Sequence, residues 1–202
     1  TPSFMVSPVK QIWKDFSSGK GGNVVAFLME HEHFTYPEAL RWLAKRYNIE
    51  IEEEEQSPEQ MAAQGARESL YLVNQFARDY FAKQMLESQE GKAIGLSYFK
   101  ERGYNDATIK KFELGYSPDN SGALTKAALS AGYKLAYLEK TGLSKTNEKG
   151  SFDFFRGRVI FPIHNLTGRI LGFGGRTLKT DKKIAKYFNS PESEIYHKSN
   201  VL

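Results

Sequence analysis

The sequence contains no cysteine among its 202 residues. This absence excludes disulfide bonds and thiolate metal sites, and it removes the usual ligands of a structural zinc ion. Long apolar runs are absent too, since no stretch approaches the roughly 20 residues that a helix needs to cross a bilayer. The first four residues lack the charged and then apolar pattern of a secretion signal. We therefore expect a cytoplasmic protein with no membrane partner.

Acidic residues are few near the C-terminal end. The net charge is only +4, but from Phe152 to Lys198 nine Lys and Arg residues stand against four Asp and Glu. Residues 50 to 59 have the opposite composition, with six Glu around Ser57-Pro58. A segment of this kind is typical of a solvated linker. We expect a domain boundary there and a positive surface near the end of the chain, which at 40% hydrophobic residues can bury a core.

The spacing of apolar residues predicts a mixture of helices and strands. The first 16 residues predict a pair of strands about the turn at Ser7-Pro8. Asn23 and Thr35 are suited to cap two helices, and the second helix has an apolar face at Ala39, Leu40, Leu43 and Tyr47. Apolar residues every three or four positions between 70 and 81 predict a long amphipathic helix. Further helices are expected at about 91–101, 106–113 and 121–130, and strands at 158–163 and 169–173 with a turn at 165–168.

Two glycine clusters could approach a phosphate or an extended ligand. Residues 19 to 23 precede a helix and resemble a phosphate-binding loop in outline, but they lack the spacing and the Lys-Ser/Thr ending of a P-loop. A tight turn before a helix is the simpler interpretation. Gly172, Gly174 and Gly175 end a strand and place the guanidinium of Arg176 next to an unobstructed backbone. A ligand-binding surface and a β-bulge fit this second pattern equally well.

Basic and aromatic residues near the C-terminal end suit single-stranded nucleic acid. Lys186 and Tyr187 combine an ammonium with an aromatic ring, which can neutralise a phosphate and stack on a base. Arg156 and Arg158 are two residues apart, so on a strand they would face the same side. A solvated surface without a ligand is the alternative for these charges. It is the interpretation that we prefer for two lysines of a polar segment, Lys182 and Lys183.

No catalytic site can be assembled from the residues alone. His31 and His33 lie near a predicted helix end without a carboxylate or cysteine at metal spacing, and we interpret them as structural. The C-terminal half yields neither a pair of catalytic carboxylates nor a Ser-His-Asp set. The residues therefore predict binding and positioning of an anionic ligand.

Nine segments, in order along the chain, resemble the bacterial DnaG-type DNA primase family. They are residues 1–8, 19–23, 37–44, 98–103, 114–118, 155–163, 168–176, 186–192 and 197–198. The resemblance implies an α+β chain in which a degenerate zinc-ribbon-like sheet with helices precedes a mixed helical and β subdomain. It implies three regions: a CHC2-type zinc-ribbon remnant at 1–50, an acidic linker and long helix at 51–85, and the N-terminal subdomain of the primase core at 86–202.

The function implied by the resemblance is RNA primer synthesis in DNA replication. In this family a single-stranded DNA template lies across a basic groove, and a neighbouring metal-binding Toprim domain joins ribonucleoside triphosphates. The whole protein would be a nucleotidyltransferase of the primosome, which contacts the replicative helicase through a C-terminal region absent from this chain. Arg158 is the weakest of the implied phosphate-binding residues, since its strand can turn it inward. By matching motif, these residues are Arg102, Arg156, Arg158, Arg176, Lys186, Tyr187 and Lys198.

Two departures from the family concern metals. One zinc-ligand pair of the family, Cys-x-x-Cys, aligns with Asp15 and Ser18, and the other would fall before Thr1. Serine is a poor zinc ligand, so we expect no zinc, in a ribbon held by its packed strands and helices. The Toprim carboxylates that bind Mg²⁺ would follow Leu202. The resemblance thus implies a fragment that is inactive alone, with Mg²⁺ bound elsewhere in the full-length enzyme.

Two rival functions come from other classes of protein. A non-catalytic single-stranded nucleic-acid-binding module could use the same basic face, and the sequence beyond Leu202 would distinguish it from a polymerase. A regulatory protein could bind nucleoside triphosphates at residues 19 to 23, and Lys20→Ala would then abolish that binding without affecting DNA. We rank the primase first and the nucleotide-binding protein last.

Overall fold

The computed structural model describes residues 3–51, 58–179 and 184–198. They form two compact units that divide between Pro58 and Glu59. Most of the acidic run, together with Lys182 and Lys183, lies outside the described residues. Helices and strands occur in both units, so the predicted α+β class is confirmed. None of the described helices combines the length and the apolar character that a membrane crossing requires.

A three-stranded antiparallel sheet begins the first unit. Its strands, in spatial order, are β1 (Phe4–Ser7), β2 (Ile12–Asp15) and β3 (Gly21–Gly22). The first two form the predicted hairpin. The ring of Trp13 stacks on Phe4, with 5.5 Å between ring centres, and meets the edge of Phe27 at 5.8 Å. These rings join the sheet to the helix that follows.

Two capped helices complete the first unit, α1 (Val24–His31) and α2 (Tyr36–Tyr47). Both predicted caps are present: the Asn23 side chain accepts from the backbone N–H of Ala26 at 2.9 Å, and Thr35 forms a capping box with Glu38. The apolar face of α2 is shorter than predicted, because Ala39 is fully buried but Tyr47 is 66% exposed.

A four-stranded antiparallel sheet forms the centre of the second unit, and a separate two-stranded hairpin accompanies it. In spatial order the four strands are β4 (Gly115–Ser117), β7 (Arg158–His164), β8 (Ile170–Thr177) and β9 (Tyr187–Asn189), and the hairpin consists of β5 (Ser144–Asn147) and β6 (Gly150–Asp153). The sequence predicts β7, β8 and the turn between them. It does not predict β4 and β9, which at three residues each carry too little alternation to be recognised.

A long helix, α3 (Pro58–Glu87), packs on this sheet. Its predicted apolar face is buried, with Val73 exposed by 0% and Phe81 by 1%. The same face carries Asn74, whose Nδ2 donates to two consecutive backbone carbonyls at the start of β8, at 3.2 and 2.9 Å. Because a buried amide requires acceptors, these hydrogen bonds fix the rotation of α3 against the sheet.

Short helices surround the sheet of the second unit. They are α4 (Ser97–Glu101), α5 (Asp106–Lys111), α6 (Ala123–Ser130) and α7 (Leu135–Lys140). A π-helical turn, Gly91–Leu96, precedes α4, so the helix predicted at 91–101 is present with two hydrogen-bonding patterns. Gly91 permits the turn, since a Cβ there would lie 2.0 Å from the backbone oxygen of Gln84. The sequence does not predict α7.

Candidate nucleic-acid interface

An open groove with a volume of about 1170 Å³ runs along the second unit. One wall is helical and contributes Tyr98 and Arg102, and the other follows the end of β8 and contributes Arg176, Lys179 and Lys186. Four cationic side chains from distant parts of the sequence therefore converge on one concave surface.

Arg176, near the end of β8, is held between two tyrosine rings. Its Cζ lies 4.8 Å from the ring centre of Tyr98 and 5.4 Å from that of Tyr187, and its Nη1 donates to the Tyr98 hydroxyl. The strand register places Arg176 opposite Tyr187. A guanidinium stacked on aromatic faces keeps its charge but loses conformational freedom. Arg176 thus presents a preorganised charge to the groove.

Tyr98 also contacts a second guanidinium. The Cζ of Arg102, directly after α4, lies 5.3 Å from the centre of the same ring. Residues four apart on a helix lie on one face, which is why Arg102 reaches back to Tyr98. The sequence prediction names Arg102 and Arg176 but misses Tyr98. The four-residue spacing from Arg102 is the pattern that could have found it.

Lys186 lines the groove directly before β9. Tyr187, the first residue of β9, is not among the described lining residues, but its ring contacts Arg176 beside the groove. Both side chains are exposed, Tyr187 by 61%. The backbone carbonyl of Lys186 accepts from the N–H of Thr177 at 3.0 Å, which anchors the segment. Within the described part of the chain, Lys186, Arg102 and Arg176 have no carboxylate at ion-pair distance. Arg102 and Lys186 are exposed to an anionic ligand, whereas Arg176 is only 9% exposed and lines the groove between its two tyrosine rings.

Lys179 differs from the other groove cations, because its Nζ forms an ion pair with Asp119. The sequence prediction does not include Lys179. A phosphate bound there would compete with the carboxylate of Asp119. We therefore expect Lys179 to contribute less to binding of an anionic ligand than the other three cations of the groove.

Arg158 is buried, which corrects its prediction as a phosphate ligand. It is only 4% exposed, its Cζ lies 3.8 Å from the ring centre of Phe188, and its guanidinium donates to the carbonyls of Ala185 at 3.0 Å and Lys186 at 3.4 Å. Burial lowers the pKa of Arg158. These hydrogen bonds hold the backbone of the segment that carries Lys186. Arg158 therefore positions Lys186 in the groove and does not contact the ligand itself.

Two further predicted residues lie outside the groove lining. Arg156 is exposed and precedes β7, so the prediction that it shares one side of a strand with Arg158 is wrong. Lys198 is exposed as well, and its backbone N–H donates to Glu192 at 2.9 Å. Neither is among the described residues that line the groove.

The glycines of β8 make room for protein neighbours. A Cβ on Gly175 would lie 2.6 Å from the ring of Phe155, and a Cβ on Gly172 would lie 3.0 Å from the Cβ of Ser190. The register of β7 and β8 shifts between Ile163, which pairs with Gly172, and His164, which pairs with Ile170, so an irregularity adjoins Gly172. Relief of crowding therefore explains Gly175, and at Gly172 it coincides with an irregularity of the strand, as the bulge interpretation predicts.

Two sequence families match the chain. The family described as DNA primase catalytic core, N-terminal domain, matches residues 80–202, and the CHC2 zinc finger family matches residues 1–59. The first match alone covers more than half of the 202 residues. The chain belongs to the DnaG-type DNA primase family.

Primases of known sequence match over the whole chain. The DNA primase of Halalkalibacterium halodurans is 41% identical over 204 residues, which cover 100% of this chain and 33% of that protein. The DNA primase of Clostridium acetobutylicum is 38% identical, with 100% of this chain and 33% of that protein covered. This primase chain therefore spans about one third of the length of the curated relatives that it matches.

Solved primase structures share the fold. The Aquifex aeolicus primase, with zinc-binding and RNA polymerase domains, is 37% identical with a TM-score of 0.58, over 98% of this chain and 46% of that one. A DnaG catalytic domain bound to single-stranded DNA is 32% identical with a TM-score of 0.60, over 67% and 43%. The RNA polymerase domain of the Mycobacterium tuberculosis primase with an overhanging DNA duplex is 36% identical with a TM-score of 0.61, over 65% and 41%.

The zinc-finger part of the primase chain does not fit a zinc ion. At the two positions aligned with family ligands, the Ser18 hydroxyl donates to Asp15 at 2.6 Å. The Nδ1 of His31 lies 2.8 Å from Glu32, and its ring stacks on Phe27 at 5.0 Å. Residues 3–51, 58–179 and 184–198 contain no group of three or more potential metal ligands. Asp15 and Ser18 supply no thiolate at the two aligned positions, and serine is a poor zinc ligand.

Residues 19 to 23 follow the turn at residues 16 to 18 and include β3, Gly21–Gly22, so the tight turn preferred from the sequence lies before this segment. Gly19 has φ of +75°, and a Cβ on Gly21 would lie 2.8 Å from the backbone oxygen of Trp13. Lys20 forms an ion pair with Glu30 on α1. The lysine that a nucleotide-binding loop would use is therefore already engaged.

Proposed function

We propose that this chain is the template-binding part of a DNA primase, and that single-stranded DNA lies in the groove lined by Tyr98, Arg102, Arg176 and Lys186. The observation that carries the proposal is the convergence on one groove of three cations that have no carboxylate partner among the described residues. Two of them, Arg102 and Arg176, contact the Tyr98 ring. Membership of the primase family favours this function over a non-catalytic single-strand-binding module.

The groove suits a single strand for two physical reasons. Cations that contact phosphates release condensed counterions, and they set the register of the strand without choosing its sequence. Exposed aromatic rings add base stacking of about 1 to 3 kcal/mol per base. Tyr187 offers such a ring beside Lys186, so phosphate and base contacts can alternate along the groove.

The whole protein, in this proposal, is a cytoplasmic nucleotidyltransferase that makes RNA primers for DNA replication from ribonucleoside triphosphates. Mg²⁺ neutralises the charge that develops during phosphoryl transfer in such enzymes, and we assign its carboxylate ligands to a domain other than this one. We assign the helicase contact to a further C-terminal region. These 202 residues then hold and align the template but do not join nucleotides alone.

Salt-dependent binding of fluorescently labelled single-stranded DNA tests the proposal. Arg176→Ala and Lys186→Ala should each weaken binding and reduce the slope of log affinity against log salt by about 0.7, the value for one phosphate contact on a single strand. Lys126→Ala is the control, because Lys126 is exposed on α6 and does not line the groove. If the salt slope is unchanged in both groove variants, the template does not bind at this surface.

A further inference from the structure

The first unit keeps the fold of its family without the thiolates that normally close it. A structural zinc contributes folding free energy outright, because it joins chain segments that have little core of their own. The cysteine-free chain must obtain this closure from other groups. We propose that the Asp15 carboxylate takes the structural place of the metal, closing the turn between β2 and β3 by hydrogen bonds so that the unit folds without zinc.

The carboxylate of Asp15 binds both serines that follow it in the turn. Its Oδ1 accepts from the backbone N–H of Ser17 at 3.0 Å and from the Ser17 hydroxyl at 2.7 Å. Its Oδ2 accepts from the Ser18 hydroxyl at 2.6 Å. Hydrogen bonds from Ser18 and Ser17 lower the pKa of Asp15 to about 2. The two family ligand positions are therefore joined directly to each other, where the family joins them through a metal.

The same turn is fastened to the rest of the first unit by further contacts. The backbone N–H of Phe16 donates to the carbonyl of Ser3 at 2.8 Å, which holds the turn against the start of the chain. Lys20 pairs with Glu30 on α1. A metal that bridges separate segments would provide connections of this kind, and here protein groups provide them.

A zinc ion at this position would have to break the cluster. Both oxygens of Asp15 already accept hydrogen bonds, and the serine hydroxyls are weak ligands. Binding of zinc to Asp15 would thus exchange charge-assisted hydrogen bonds for an incomplete coordination shell. Because this exchange gives no favourable free energy, we expect zinc not to bind at the turn.

The first test measures zinc on the intact 202-residue chain. Both tryptophans, Trp13 and Trp42, lie in the first unit, so urea unfolding followed by tryptophan fluorescence reports on that unit alone. We expect less than about one tenth of an equivalent of zinc by elemental analysis, and the same urea midpoint with EDTA, with equimolar zinc and with neither. One retained equivalent of zinc, together with a midpoint that EDTA lowers, would overturn the proposal.

The second test removes the cluster itself. Asp15→Ala should raise the unfolded fraction at a fixed urea concentration by roughly tenfold, and Ser18→Ala by a smaller factor, because hydrogen bonds to a charged group exceed neutral ones in strength. The matched control is Ser3→Ala, since Ser3 contributes its backbone carbonyl, which alanine retains. If Asp15→Ala does not fold at all, the smaller loss of stability in Ser18→Ala still measures how much these hydrogen bonds stabilise the first unit. If the urea midpoints of Asp15→Ala and Ser18→Ala equal those of Ser3→Ala and the unmodified chain, the proposal is contradicted.

Discussion

At the scale of single residues, the groove depends on which charges are exposed and how they are held. Arg158 and Arg176 carry the same group on adjacent strands of one sheet, at 4% and 9% exposure. Arg158 is nevertheless enclosed by backbone carbonyls, whereas Arg176 lies against two tyrosine rings and lines the groove. Charge is readable from the sequence, but exposure is not, because it depends on strand pairing. Tyr98 has the opposite character, since it is uncharged and yet organises two of the three unpaired cations.

Substitutions of Tyr98 separate its positioning role from charge. Tyr98→Leu should weaken single-stranded DNA binding by about tenfold, since Arg102 and Arg176 lose the ring that orders them and each must then be immobilised on binding at a cost of about 0.5 to 1.5 kcal/mol. The salt slope should stay unchanged because every cation remains. Tyr98→Phe keeps the ring and should remain within about twofold of the unmodified chain. Anisotropy titrations at several salt concentrations measure both quantities. A reduced salt slope in Tyr98→Leu would mean that the ring is needed for the charges to reach phosphate at all.

At the scale of elements, local capping is what the sequence predicts best. The side chains of Asn23, Thr35 and Asn105 cap the helices that follow them directly, so composition within a few residues suffices. The cap of α6 is different, because its N-cap residue is Gly122, which has no side chain. Asp153, from β6, accepts instead from two backbone N–H groups at the start of α6, at 2.8 and 2.9 Å. A cap of this kind joins residues 28 and 29 positions apart and leaves no local pattern.

Removal of the remote cap should be costly. Asp153 is only 3% exposed and also binds the Thr125 hydroxyl at 2.6 Å, so Asp153→Ala leaves buried donors unsatisfied. We expect a loss of about 2 to 4 kcal/mol in the free energy of unfolding, measured by urea denaturation with far-UV circular dichroism. Glu148→Ala, in the exposed tip of the same hairpin, should change stability by less than about 0.5 kcal/mol. Equal stabilities of the two variants would show that α6 does not need Asp153.

Two glycine substitutions test the packing of β8 on its neighbours. Gly175→Ala places a Cβ 2.6 Å from the Phe155 ring, and the overpacking should cost about 1 to 3 kcal/mol. Gly65→Ala, on α3 with open space around it, should be neutral or stabilise by up to about 1 kcal/mol. Thermal unfolding of both variants checks the prediction, and a stabilised Gly175→Ala would contradict the close packing of these strands.

At the scale of the whole molecule, the sequence predicts the main helices and strands better than the shape of the candidate site. The spacing of apolar residues gives α3, β7 and β8, and the family resemblance gives Arg102, Arg176, Lys186 and Tyr187. The sequence does not predict the short edge strand β9 or the ion pair between Lys179 and Asp119, because both depend on contacts between residues far apart in the chain. Pairing of strands that are far apart in the sequence therefore brings the basic residues together on one groove.

The location of the template is the central claim, and cross-link mapping tests it most directly. Single-stranded DNA that contains a photoreactive pyrimidine would be irradiated with the 202-residue chain, and the linked peptides of the second unit identified by mass spectrometry. We predict cross-links at Tyr98 and Tyr187, the aromatic residues at the unpaired cations, and their loss in Arg176→Ala. Cross-links in the second unit confined to α6, α7 or the β5 and β6 hairpin, with Tyr98 and Tyr187 unlabelled, would contradict the account.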